Sequence, residues 1–288
     1  MLYQAELHSE ATAVPLAVSP AKGKRPRPLL TPGSTLIDNK VMIDLTKPWP
    51  LGLDRRSWPW FCAAIIACLA ALSLLDIWAS RGTIGWTDAV RAPFFAITDY
   101  GLSDWVLIPS LVILLVALPF ALLLRGLARL VAREITMLSA FIFAGVGAPG
   151  LMANLLKRIV GRGRPTEYDA SGAFSFQTVL NDWTFQSFPS GHATTAIAMA
   201  FVGGFVWPRL FPLLLLVGVV VSFSRIPVGM HYPTDVFGGL VVGALGAYLV
   251  RNIFASRGWM FRFAPDGHVR FRGFPAIRRL VSARRRSA

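Results

Sequence analysis

Three short stretches of the sequence hold its most reactive combinations of side chains: LKRIVGRGRPTEYD ending at Asp169, SFPSGHATTAIAMA at 187–200, and SRIPVGMHYPTD at 224–235. In the first, Lys157 and Arg164 are separated by six residues, and Gly161 and Gly163 let the chain turn so that both cations can converge on one ligand. In the second, Ser190 follows Pro189 and precedes a long apolar run, as a helix N-cap does, with Gly191 and His192 in the first turn. A helix N-terminus offers unpaired N–H groups and the positive end of a dipole, which together make an anion site. The third sets Arg225, His231 and Asp235 between two stretches of membrane-grade hydrophobicity. Cations and backbone donors on one face are groups that bind an anionic ligand. Taken singly, each stretch also has a plain structural reading. The basic loop can contact lipid headgroups, Ser190 can merely cap its helix, a histidine near a helix end can be a satisfied polar residue, and Arg225 can pair with Asp235.

The elements that must position these residues are apolar. Of the 288 residues 54% are hydrophobic and 15% charged, far from a soluble domain's mix, which reads as an integral membrane protein. Runs long enough to cross about 30 Å of hydrocarbon are expected at 58–79, 105–124, 135–156, 191–211, 212–224 extended into the next loop, and 234–254. The fifth of these is short. The expected fold is all-α, a six-transmembrane helix bundle. The first 57 residues, rich in proline and carrying KGKRPRP, read as a flexible cytoplasmic tail, and the run after them as an uncleaved anchor, with no cleavage site for a signal peptide. Residues 255–288 read as a second basic cytoplasmic tail.

Net charge is +14, but the placement of the charges argues against nucleic acid. Eight Lys and Arg precede the first run, three lie between the second and third, one lies between the fourth and fifth, and ten follow from Arg251 onward. The opposite side holds seven: Arg81, Arg91, Lys157, Arg158, Arg162, Arg164 and Arg225. The positive-inside rule then puts both termini in the cytoplasm and the three stretches on the extracytoplasmic face. Cys62 and Cys68, six apart within one helix, point to different sides and support neither a disulfide nor a metal site.

Together the three stretches resemble the type 2 phosphatidic acid phosphatase superfamily, whose pattern is K-x6-R-P, P-S-G-H and S-R-x5-H-x3-D. Here it reads KRIVGRGRP (157–165), PSGH (189–192) and SRIPVGMHYPTD (224–235). The resemblance implies a catalytic domain over 58–254 and a lipid phosphatase that works through a phosphohistidine. It implies His231 as the nucleophile, Asp235 as the partner that fixes its tautomer, and His192 as acid and then base. It also implies that Lys157, Arg164, Ser190, Gly191 and Arg225 hold the phosphate. No metal and no cofactor is called for. A site at the ends of membrane spans suits a substrate anchored in the bilayer, and family members of this size act on phosphatidic acid, phosphatidylglycerophosphate, polyprenyl pyrophosphates or lipid A phosphates. The loops 80–104 and 166–186 are where discrimination among these is expected, with Trp183 read as an interfacial aromatic. The composition reads as bacterial, which would put the protein in the inner membrane and its site in the periplasm. A lipid phosphotransferase with a polyprenyl pyrophosphate donor would share the phosphohistidine step and differ in the acceptor. Vanadium-dependent haloperoxidases share the motif, but those are expected to be soluble.

Overall fold

A computed structural model describes residues 43–84, 86–167, 172–178 and 182–287. The expected N-terminal tail lies outside the described residues as far as residue 42, as does Asp169. The architecture is mostly helical. Helices α1 (Trp58–Ile84), α2 (Asp88–Thr98), α3 (Asp104–Leu123) and α4 (Gly126–Val160) are followed by α5 (Gly191–Val206), α6 (Phe211–Ser224) and α7 (Pro233–Ser256). A two-stranded hairpin, β1 (Phe261–Phe263) with β2 (Val269–Phe271), and α8 (Pro275–Ser287) close the chain.

Among the described residues, four segments are long and apolar enough to cross a membrane: Trp58–Ala79, Asp88–Leu123, Gly126–Val160 and Pro233–Ser256. The fourth and fifth expected spans are shorter. Helix α5 stops at Val206 because Pro208 follows, and a 3-10 turn at Pro208–Leu210 leads into α6. With 16 and 14 residues, these helices reach only about 24 and 21 Å at 1.5 Å per residue.

Helix α5 is the axis of the bundle, buried over most of its length and packed by α4, α6 and α7. Its contact with α7 is backbone on backbone. A Cβ on Gly239 would stand 2.6 Å from the Ser190 carbonyl oxygen, and one on Gly243 would stand 2.5 Å from that of Thr194. Glycine is what permits this approach.

At the far end of α5 a core of aromatic rings gathers Phe141, Phe201, Phe205, Tyr248, Phe254 and Phe261. Arg251, 1% exposed, lies over the Phe205 and Tyr248 rings at 4.4 and 4.6 Å and donates to the carbonyl oxygens of Leu45, Lys47 and Pro48. Leu45, Lys47 and Pro48, expected within a flexible tail, are therefore fastened to α7. The region after α7 also differs from a plain tail. The hairpin pairs Phe261 with Phe271, and Glu134 on α4 accepts the N–H groups of Ala276 and Ile277 at 2.8 and 3.0 Å, capping α8.

Candidate active site

The three reactive stretches meet at one end of the bundle. Helix α4 ends at Gly161, whose left-handed backbone (φ +61) turns the chain sharply and lets its N–H bond the Lys157 carbonyl. Any side chain there would collide with the Gln177 carbonyl, 2.1 Å from a Cβ. The turn leaves Lys157 on the last turn of α4 with its ammonium against the start of α5, 3.3 Å from where a Gly191 Cβ would be. Ser190 is the N-cap of α5, and its hydroxyl accepts from Ala193 N at 3.4 Å. The Ser190 N–H donates to the Asp235 carbonyl at 2.9 Å, joining the second and third stretches directly.

Ser190, Arg225, His231 and Asp235 are buried and form the floor. Lys157, Arg164 and His192 are partly exposed and form the rim. Gly101 packs on His192, with a Cβ there only 3.1 Å from the imidazole. Arg225 donates to Thr98 Oγ1 at 2.8 Å, while its buried Nε has no acceptor. Burial and the neighbouring Arg164 lower the Arg225 pKa to about 10, partly offset by Asp99. Arg164 is aimed by Trp183, over whose ring it lies at 5.1 Å and whose carbonyl accepts from its Nε at 2.9 Å. Its pKa too is lowered by burial, against the pull of Asp235. Crowded, desolvated cations of this kind are stabilised by an anion.

His231 is 3% exposed. Burial, reinforced by Arg225 and Arg164 and opposed by Asp235, lowers its pKa to about 4, so the imidazole is neutral at physiological pH. Its Nδ1 lies 3.7 Å from Asp235 Oδ2, an electrostatic contact longer than a hydrogen bond. The other ring nitrogen, Nε2, is the one turned from that carboxylate.

Asp235 is committed elsewhere. Oδ2 accepts from Ser187 Oγ at 2.5 Å and from Tyr232 N at 2.9 Å, and Oδ1 accepts from Arg162 at 2.7 Å. Arg162 also donates to Asp76 Oδ2 at 2.8 Å, to Thr234 Oγ1 at 2.5 Å and to the Ala173 carbonyl. Burial works against the Arg162 charge, but Asp235 and Asp76 outweigh it and hold its pKa above the ordinary value. This buried cluster, which also stacks Arg162 on Tyr232 at 4.3 Å, anchors α1 through Asp76.

All eight residues singled out in the sequence are brought to this end of the bundle. Sequence reasoning assigned no role to Asp76, Arg162, Ser187, Thr234 or Thr98. One signal was available, a lone aspartate inside the apolar run SLLDIWAS, since intramembrane carboxylates are costly and find partners. Among the described residues no three His, Cys, Asp or Glu side chains group as metal ligands, and Cys62 and Cys68 are free.

The family model of the PAP2 superfamily matches residues 133–259, which include all three stretches. The lipid A 1-phosphatase of Rhizobium etli is 33% identical over 207 residues, covering 72% of this chain and 89% of that protein. The lipid A 1-phosphatase of Rhizobium johnstonii is 35% identical over 59% of this chain and 70% of its own length. Undecaprenyl-diphosphatase BcrC of Bacillus subtilis is 36% identical over 38% of this chain and 54% of its own length. With its motifs gathered at one end of a membrane-embedded bundle and a relative matched over nearly its whole length, the chain belongs to the PAP2 superfamily.

Proposed function

We propose that the protein is an integral membrane phosphatase that removes a phosphate from a membrane lipid, with the 1-phosphate of lipid A as its preferred substrate class. The observation that carries the reading is the convergence of Lys157, Arg164, Arg225 and the α5 N-terminus on a neutral, buried His231. The substrate class rests on the Rhizobium relatives. The catalytic unit is 58–254.

In this mechanism the three cations, the Gly191 N–H and the Ser190 hydroxyl hold the phosphate oxygens and offset the charge of the transition state. His231 Nε2 attacks phosphorus in line, a P–N bond forms and the P–O bond to the lipid breaks. His192 gives its proton to the departing oxygen. The same imidazole then takes a proton from water, whose oxygen attacks phosphorus and displaces His231, releasing inorganic phosphate. Asp235, held by Arg162, Ser187 and Tyr232 N, stabilises the positive charge on His231 in the intermediate and sets Nδ1 as the protonated nitrogen. No step uses a metal. Ser190, His192 and Arg225 lie at the ends of apolar helices, where the headgroup of a lipid that stays in the bilayer can meet them. The site faces the periplasm and both termini the cytoplasm, in keeping with the charge distribution.

The test is phosphate release by detergent-purified protein in EDTA from lipid A, undecaprenyl pyrophosphate, phosphatidylglycerophosphate and phosphatidic acid, beside His231→Ala. Release from lipid A that the variant loses, with an acid-labile, base-stable phosphoenzyme in rapid quench, is the expected result. Release from another of the four keeps the phosphatase and corrects the substrate. Silence on all four, with transfer to an acceptor lipid from undecaprenyl pyrophosphate, would replace hydrolysis by phosphotransfer.

A further inference from the structure

At the end of the bundle remote from His231 lies an apolar groove of about 560 Å³, between α3, α4 and α8. Val116, Phe120, Leu127, Val131 and Ile135 line it, and Leu280 of α8 completes its wall. The groove is separated from the site along α4 by some 25 residues between Ala132 and Lys157, or about 38 Å at 1.5 Å per residue.

Its rim carries opposite chemistry. Helix α3 has 20 residues, about 30 Å and thus one hydrocarbon thickness, so the turn that follows it sits at headgroup level. Arg125 and Arg129 alternate there with the groove residues Leu124, Leu127 and Ala128, and Arg129 Nε is held to the Ala121 carbonyl at 3.3 Å. Helix α8 adds Arg278 and Arg279, exposed beside Leu280. The acid next to this rim, Glu134, has both carboxylate oxygens occupied by the first N–H groups of α8. That clamp holds α8 against α4 with Ala276 buried and its arginines outward. An apolar cleft at membrane depth, rimmed by Arg125 and Arg129 at headgroup level and followed along α8 by the exposed Arg278 and Arg279, fits an amphiphile with an acyl chain and an anionic head.

We propose that this groove and its arginine rim form a binding site for an anionic phospholipid, separate from the catalytic site. The acyl chain lies between α3 and α4 under Leu280, the headgroup phosphate meets Arg125 and Arg129, and the charges of Arg278 and Arg279 on α8 add to the positive field at that level. This assignment is independent of the reaction proposed above, because it needs no residue of the active end.

The experiment is native mass spectrometry of the full chain, delipidated in neutral detergent and titrated with phosphatidylglycerol or phosphatidylcholine of the same acyl composition. Phosphatidylglycerol should be retained at least tenfold better. The Arg278→Gln/Arg279→Gln pair, on the exposed face of α8, should weaken its retention by about fivefold for each arginine, the value of one basic side chain at a membrane surface. Lysine at both positions should restore it. Ala128→Trp, which fills the groove and leaves every arginine in place, should lower retention of the lipid as well, with thermal midpoints in detergent showing that each variant is folded. Equal retention of the two lipids, or a phosphatidylglycerol preference that survives both the double Gln variant and Ala128→Trp, would overturn the site. So would a second copy of the chain covering this face in place of lipid.

Discussion

Arg162 bridges two carboxylates with no solvent exposure, Asp76 and Asp235, and its replacement by Gln removes the positive charge between them while their hydrogen bonds from Thr234, Ser187 and Tyr232 N remain. Removing one partner of a buried ion pair costs about 3–5 kcal/mol. Here the departing guanidinium serves two carboxylates and also bonds Thr234 and the Ala173 carbonyl, so the upper value, about 5 kcal/mol, applies. For a chain of this size 1 kcal/mol moves the thermal midpoint by about 2–4 °C, so the Gln variant should unfold about 10–20 °C lower. Circular dichroism at 222 nm of the detergent-solubilised protein reads this directly. Adding Asp76→Asn to Arg162→Gln removes one of the two uncompensated charges and should recover roughly half of the loss, a coupling that additive effects would not produce. A single variant within about 3 °C of the parent, the shift of 1 kcal/mol, would show that the carboxylates protonate or rehydrate freely and that Arg162 is no keystone.

Three other perturbations probe the active end. In ¹⁵N-imidazole NMR, His231 should stay neutral down to about pH 5 and charge only near its pKa of about 4. Because the unfolded histidine charges near 6.5, the unfolded chain binds the extra proton first, and stability falls as pH drops through the interval between the two values; charging of His231 near 6.5 would contradict its burial. Gly191→Ala pushes a methyl toward the Lys157 ammonium, 3.3 Å away, and should slow phosphate release about tenfold, or 1.4 kcal/mol, with little change in thermal midpoint. An unchanged rate would remove Lys157 from the phosphate clamp. Trp183→Ala removes the ring under Arg164 but keeps the carbonyl that holds its Nε; a loss of about 0.5–1 kcal/mol should raise KM roughly two- to fivefold at constant kcat. A fall in kcat alone would mean that Arg164 acts in the transition state only.

The spacing of Lys157, Arg164, His192, Arg225, His231 and Asp235 was legible because each stretch is local, with its members a few residues apart on a turn or a helix end. The cluster behind them was not. Asp76 lies 86 residues from Arg162, and nothing in an apolar helix says which distant cation it meets. The expected contact of Asp235 with His231 was read without the competing donors Ser187 and Tyr232 N, which depend on how the 182–190 segment folds back. The break between the fourth and fifth runs was expected after residue 211, whereas Pro208 ends the helix already at Val206. The C-terminal region was read by its charge, whereas FRFAPDGHVRFRGF alternates with period two around Asp266–Gly267, a hairpin signature that arginine content obscured.

The glycine contacts between α5 and α7 bear on how a lipid reaches the site. Backbones that touch at Gly239 and Gly243 leave no side chains to slide or repack, so Ser190 and Asp235 behave as one solid block with a fixed gap. Breathing motions that admit a headgroup must come from the other walls. Helix α1 is the least buried of the candidate membrane spans and is tethered near Asp76. The bolt that holds this door is thus the same arginine that grips the acid beside the nucleophile, so prising α1 away for a bulky lipid also tugs on Asp235.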